Sequence, residues 1–286
     1  MIPPFSTDEP MEVQLDKLVR TGHRFAAAGK RAAAMEIWHH ILQRTPAPYR
    51  TGRWIDDATG SVPQFEPLMN ARPKTRIYIL GCGRSGTWLT LAMMGGFKDV
   101  HVAPEERHYG HFARLVDQPE GVHVVKRTHS AHALMTRIPQ AIHLLYVLRD
   151  PRDVLTSSHH DTEFYISLER WSAEMASLEA VLETGRPGLV VTRFEDLITQ
   201  PLQEQARIAE AFNLEIDWPA DRFNERFKAE DIVYKGMHGL RPPDPSVIGR
   251  WRTDARKRAY LDTVREPVQV RFTRLADRFG YDIADW

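Results

Sequence analysis

One cysteine, Cys82, stands among 286 residues, so the chain can form neither an internal disulfide nor a cysteine-built metal site. A reducing, cytoplasmic setting is expected. Charge of one sign is lacking too, since 38 Lys and Arg balance 38 Asp and Glu. A neutral chain exerts no whole-surface attraction on nucleic acid or anionic lipid. No nucleic-acid or membrane partner is therefore expected, and any anion it binds must be gripped by a local cluster. Long apolar runs are absent: the best, 141–148, contains His143 and is far shorter than the roughly 18 residues of a membrane span. The opening MIPPFSTDEP has no basic stretch followed by an apolar one and does not read as a secretory leader. Missing as well is the pattern GxxxxGK[ST], because no Lys-Ser or Lys-Thr pair follows the glycines of GCGRSGT; a kinase loses its main support.

What is present suits one large domain with a small appendage. Helical patterning over 13–44, broken at Gly29-Lys30 and stopped by Pro46 and Pro48, predicts a hairpin domain over 1–48. Gly22, Phe25, Gly29, Ala34, Trp38, Ile41 and Pro46 fall where a tetratricopeptide repeat places its packing residues. A single repeat cannot build a solenoid, so the hairpin is expected to pack on the rest of the protein, with a partner-binding role as the alternative. Residues 49–75, rich in Pro, Gly and Arg, read as an irregular linker, and 76–286 as the main domain. There, short apolar runs at 76–80, 121–125, 142–148 and 189–191 alternate with helical patterns at 87–95, 167–184, 202–212 and 255–279. Buried strands alternating with helices predict an α/β fold, a central parallel sheet flanked by helices.

Two segments carry chemistry. After the first strand, Gly81-Cys82-Gly83-Arg84-Ser85-Gly86-Thr87 runs into a helix. The glycines let backbone N–H groups turn inward, the helix N-terminus favours negative charge, and Arg84, Ser85 and Thr87 add donors, which together suit a phosphate-like dianion. A plain Gly-rich turn would explain the glycines without the arginine and two hydroxyls. After the run 141–148 comes RDPRD, with Ser157 eight positions beyond Arg149. Asp150-Pro151 predicts a helix start, with Ser157 about two turns into that helix. Arg149 and Ser157 could grip one phosphate from two sides, although RDPRD alone reads equally as a salt-bridged turn.

Taken together, GCGRSGTWL and YVLRDPRDVLTSS resemble the 5′-phosphosulfate-binding loop and the 3′-phosphate-binding element of sulfotransferases that use 3′-phosphoadenosine 5′-phosphosulfate (PAPS). VTRFEDL, SVIGRW and Phe279-Gly280-Tyr281-Asp282 are also similar to this family, so the resemblance spans about 76–282. It is nearest to the tyrosylprotein-type and related bacterial enzymes, which likewise carry Arg-Ser-Gly-Thr in the first loop. The resemblance implies a three-layer, P-loop-like fold, with PAPS as co-substrate, 3′,5′-adenosine bisphosphate (PAP) as product, and no metal. It implies that Gly83, Arg84, Ser85, Gly86 and Thr87 hold the 5′-phosphosulfate and Arg149 and Ser157 the 3′-phosphate, with Arg250 a further phosphate ligand. Two positions depart from the family. Trp88 stands where many members have a second Thr, so its backbone N–H replaces a hydroxyl, and Gly249 stands where the tyrosylprotein enzymes carry a serine.

Two residues compete for the general base that takes the acceptor's proton. Glu105 lies twenty-one residues after Arg84, the offset of the catalytic glutamate in tyrosylprotein and carbohydrate enzymes, and Arg107 falls where an arginine lies near substrate. The plainer reading makes Glu105 and Glu106 solvated charges. His129 in HVVKRTH resembles the catalytic histidine of the cytosolic enzymes, with Arg127 in the place of their lysine. Glu105 is the favoured base. Lys126 is expected to neutralise charge on the departing phosphate, with Arg127 as fallback. Tyr109, Phe112, Phe164 and Tyr165 are candidates to line the pocket of a small-molecule or peptide acceptor, or else belong to the core. The competing functions are a nucleotide or small-molecule kinase, which would need Mg²⁺, and a non-catalytic adaptor built on the hairpin.

Overall fold

The computed structural model describes residues 2, 4–50, 53–62, 65, 67, 75–115, 120–128, 131–159, 161–226 and 242–284. The chain forms two compact units, the smaller made of Met1–Lys74 with Glu106–Glu120 and the larger of Thr75–Glu105 with Gly121–Trp286.

In the smaller unit α1 (Met11–Ala27) and α2 (Arg31–Arg44) form the expected pair, parted at Gly29. Leu15 and Val19 of α1 meet Ile37, Trp38 and Ile41 of α2 in one buried cluster. Gly22 permits that approach: a Cβ there would come within 2.5 Å of the Trp38 ring. Residues 49–75, expected to be irregular, contain a third helix, α3 (Arg53–Gly60), whose Ile55 and Ala58 join the same cluster. Its pattern is masked because Asp56 and Asp57, which read as surface residues, are buried. Both are met by basic groups. Arg114 Nε lies 3.1 Å and His111 Nδ1 3.5 Å from Asp56 Oδ1, while His23 and His108 Nε2 atoms lie 3.6 and 3.5 Å from Asp57. Residues 107–114 thus belong with α3, not with the main domain.

The larger unit is built on five strands: β1 (Arg76–Leu80), β2 (Val100–Glu106), β3 (Val122–Lys126), β4 (His143–Leu148) and β5 (Leu189–Arg193). Their order is β2-β3-β1-β4-β5, and β1 runs parallel to β3 and β4, as β4 does to β5. Ile77, Ile79, Val124, Leu145 and Val147 share a core with Leu91 and Met94 of α4 (Thr87–Met94) and with Ile208 and Phe212 of α8 (Pro201–Phe212). By strand alternation Tyr78, Leu144 and Tyr146 fall on the opposite face. On that side α6 (Leu168–Glu183) and α9 (Ala255–Phe279) pack together through Trp171 and Phe272, whose rings lie 5.9 Å apart. The short helices α5 (Pro151–Leu155) and α7 (Phe194–Thr199) follow β4 and β5. Helices on both faces of a parallel sheet satisfy the expectation of an α/β, three-layer architecture. Four strands and the main helices lie within two residues of their expected bounds. The edge strand β2 is additional to the expected four, and its pattern is hidden because Pro104, Glu105 and Glu106 end it without an apolar alternation.

Among the described residues no helix is long and apolar enough to cross a membrane, and no cluster of His, Cys, Asp and Glu could hold a metal ion.

Candidate anion-binding cleft

Because β1 and β4 are parallel neighbours, the loops leaving their C-terminal ends lie side by side. The first loop turns through two left-handed residues, Arg84 at φ 71° and Gly86 at φ 89°. Gly86 is required there twice over, by its φ and because a Cβ would lie 2.3 Å from the Phe194 ring. Arg84 has no such licence, and a non-glycine residue held in that region stores roughly 1–3 kcal/mol, a strain that clusters at functional sites. α4 starts at once, with Ser85 and Thr87 buried at its N-terminus.

In the second loop the Asp150 side chain caps α5, accepting from the Arg152 N–H at 2.8 Å, and Pro151 takes the first helical position. α5 ends at Leu155, and Thr156 closes it by donating from its hydroxyl to the Arg152 carbonyl at 2.6 Å. Ser157 therefore lies beyond the helix end rather than two turns inside. That position carries it to the first loop, where its Oγ accepts from Arg84 Nε at 2.9 Å. Arg149 completes the junction: Nη1 donates to the Arg84 carbonyl at 2.8 Å, Nη2 to the Val247 carbonyl at 3.3 Å, and its guanidinium lies over the Phe194 ring at 4.2 Å.

Between these groups lies a cleft of about 310 Å³. Its lining includes Arg84, Arg149, Arg250 and Lys257 against one carboxylate, Asp153, with Ser157, Ser158 and Thr156 adding hydroxyls. Burial pulls the Arg84 and Arg149 pKa values down from the usual arginine range, the charge of Arg149 adding to the effect on Arg84; a guanidinium nevertheless remains charged in proteins. Burial pushes the Asp153 carboxyl up, against the pull of Arg149, and its Oδ2 accepts from the Gly249 N–H at 2.8 Å. The Nε of Arg149 is buried with no hydrogen-bond partner among the described residues. Surplus cations and an orphaned buried donor fit a multiply charged anion.

The structure thus brings Arg84, Arg149, Ser157 and Arg250 to one cleft. Arg250 is held at its rim by Ser246, whose carbonyl accepts from Nε at 3.0 Å. Gly83 lies against α6, where a Cβ would approach Arg170 and Ile166. Lys126, at the end of β3, is fully buried with its ammonium 4.1 Å from the centre of the Trp88 ring. Glu105 is exposed near the end of β2, and neither it nor Lys126 lines the cleft. His129 lies outside the described residues. Arg107 approaches Asp56 at 3.7 Å and the Tyr109 hydroxyl donates to the Gly60 carbonyl at 3.1 Å, both within the smaller unit. Phe112 is buried in that unit, and Phe164 stacks on Tyr260 at 4.5 Å.

Lys257, Asp153 and Phe194 were not singled out as cleft residues. Lys257 is one of three basic residues in ARKR, and only the cap that Asp254 provides for the first turn of α9, accepting from the Lys257 N–H at 3.2 Å, fixes its place.

No family model matches the sequence, and no curated protein matches it. Solved structures do. The sulfotransferase domain from the curacin biosynthetic pathway matches with a TM-score of 0.50 at 14% identity, over 68% of this chain and 98% of that one. The sulfotransferase domain from the Synechococcus PCC 7002 olefin synthase matches with a TM-score of 0.52 at 16% identity, over 74% and 96%. Almost the whole of each domain is therefore accounted for by this chain, and its fold is that of the sulfotransferases.

Proposed function

We propose that the chain is a sulfotransferase that takes its sulfuryl group from PAPS and passes it to a hydroxyl or amine acceptor, releasing PAP. The observation that carries this reading is the junction of the two anion loops, Arg84 Nε to Ser157 Oγ at 2.9 Å, within a cleft of four cations and one carboxylate. PAPS, when bound, supplies the activated SO₃: the S–O bond to the phosphate breaks, an S–O or S–N bond to the acceptor forms, and the acceptor's proton passes to a base.

In this reading the loop N–H groups and the Arg84, Ser85 and Thr87 side chains hold the 5′-phosphosulfate. Arg149 and Ser157 hold the 3′-phosphate, and Arg250 and Lys257 add charge at the rim. Lys126, buried at the end of β3 and outside the cleft lining, is assigned to the departing phosphate from its place in the sequence alone. Glu105, exposed near the end of its strand, takes the proton, with His129 as the alternative. Such a transfer rests on positioning and charge neutralisation and calls for no metal. Arg107 and Tyr109 are assigned to the acceptor by resemblance alone, and the acceptor is a small molecule or a peptide. The neutral chain and single cysteine suit a cytoplasmic enzyme, in which the tetratricopeptide-like hairpin serves as packing.

A thermal-shift titration with PAP tests the reading. A ligand at a hundred times its Kd stabilises by about 2.7 kcal/mol, so a saturable rise in Tm is expected. No rise at millimolar PAP, or a rise with ATP and Mg²⁺ alone, would overturn it in favour of an adaptor or a kinase.

A further inference from the structure

Two stretches of the sequence, FEDL at 194–197 and FGYD at 279–282, have no part in the transfer just described. In the fold they meet. The Tyr281 hydroxyl donates to Glu195 Oε2 at 2.7 Å, and Glu195 Oε1 accepts from the Asp150 N–H at 3.0 Å. Both side chains are at most 9% exposed. Asp150 is the residue after Arg149, and its N–H, outside α5 and buried, has to find an acceptor. Glu195 supplies it, while the preceding Phe194 lies under the Arg149 guanidinium. A second tie runs in parallel: Arg152 pairs with the Asp150 carboxylate at 2.7 Å and donates to the Asp282 carbonyl at 2.7 Å. The Tyr281 ring is itself fixed between the Arg193 guanidinium at 4.5 Å and Phe272 at 5.4 Å.

A buried carboxylate is expensive unless its oxygens are satisfied. Here both are, one by the second loop and one by the segment after α9. We infer that Glu195 and Tyr281 are positioning residues for anion binding: the segment after α9, through Tyr281 and Glu195, fixes the backbone at Asp150 and so aims Arg149 into the cleft. The inference rests on the reading that Arg149 and Ser157 hold the 3′-phosphate.

The test compares two ligands that differ in that phosphate, PAP and adenosine 5′-monophosphate, by calorimetric titration of the full chain. Tyr281→Phe keeps the ring and removes the hydroxyl. It is expected to weaken PAP about tenfold, the size of one charge-assisted hydrogen bond, and to leave the monophosphate within about twofold. Glu195→Ala is expected to lose more than Tyr281→Phe. Glu195→Gln is expected to recover most of the PAP affinity, because its amide oxygen still accepts from Asp150 and its NH₂ can donate to the Tyr281 oxygen. Faster amide exchange at Asp150 in Tyr281→Phe, at a Tm close to that of the wild type, would accompany the loss. Equal loss for both ligands, or wild-type PAP affinity in Tyr281→Phe and Glu195→Ala, overturns the inference while leaving the sulfotransferase reading intact. A wild-type chain that binds neither nucleotide overturns that reading first, and the anion-positioning role falls with it.

Discussion

Lys126 has no exposed surface, and a buried ammonium must recover its lost hydration from what surrounds it. The Trp88 ring, 4.1 Å from the ammonium, provides part of that recovery, at the position where the first loop's sequence resemblance implies a hydroxyl. A desolvated cation over an indole gains about 2 kcal/mol or more. Trp88→Phe, which keeps an aromatic face, is expected to destabilise the chain by about 1 kcal/mol, and Trp88→Leu by at least about 2 kcal/mol, as read from urea unfolding midpoints at constant m-value. If both variants lose the same amount, the ring acts through its bulk and not through its π-face. The same pairing shows how a residue that departs from a family pattern acquires a meaning only in three dimensions. Sequence alone registers Trp88 as a missing hydroxyl, whereas the fold gives it a cation to carry.

Between elements, the energetics of the second loop are those of Glu195, whose pKa burial pushes up from its ordinary 4.5, in spite of the hydrogen bonds from Asp150 and Tyr281. A carboxyl with a raised folded-state pKa holds its proton more tightly in the native chain than in the unfolded one, so stability falls as pH rises through the window above 4.5. Glu195→Gln does not titrate. The wild type should therefore lose stability relative to Glu195→Gln as pH rises from 4.5 toward neutrality, and the difference should level off above the native pKa; denaturant melts at several pH values would show it. A difference that grows in the opposite sense would mean that Glu195 is stabilised as the anion. Elements of this kind were legible unequally. RIYIL, the loop after it, the Asp150-Pro151 cap and the whole of α9 follow from local patterns, because buried parallel strands and capped helices carry their own signals. The meeting of Arg84 with Ser157 is legible only as a shared ligand, and the place of Ser157 beyond α5 is not legible, since no glycine or proline marks the end of that helix at Leu155. β2 and α3 carry no such pattern, because one is an edge strand ending in glutamates and the other buries two aspartates. The union of FEDL with FGYD, eighty-six residues apart at Glu195 and Tyr281, has no local signature at all.

For the molecule as a whole, the smaller unit depends on a buried carboxylate. Asp56 has no exposed surface and faces Arg114, His111 and Arg107. Removing one member of a buried ionic cluster leaves the others uncompensated and costs about 3–5 kcal/mol. Asp56→Ala is therefore expected to speed amide exchange throughout α1, α2, α3 and 107–114, as read by mass spectrometry, before it alters exchange in β1 and β4. Uniform exchange across both units would mean that they unfold as one cooperative body.

The division into units has a consequence for how the chain is made. The polypeptide crosses between them three times, after Lys74, after Glu105 and after Glu120. The hairpin and α3 emerge first during synthesis, with His23 already at hand for Asp57, yet Arg107, Arg114 and His111, which face Asp56, and His108, the second partner of Asp57, arrive only with 107–114, after β1, α4 and β2 have been made. Until then Asp56 awaits all three of those partners, and the smaller unit cannot finish before the larger has begun. A fragment starting at Thr75 would carry the reverse burden, a segment containing Phe112 and Tyr109 stripped of the surface that buries it. The two units are separable as shapes but not by cutting the chain once.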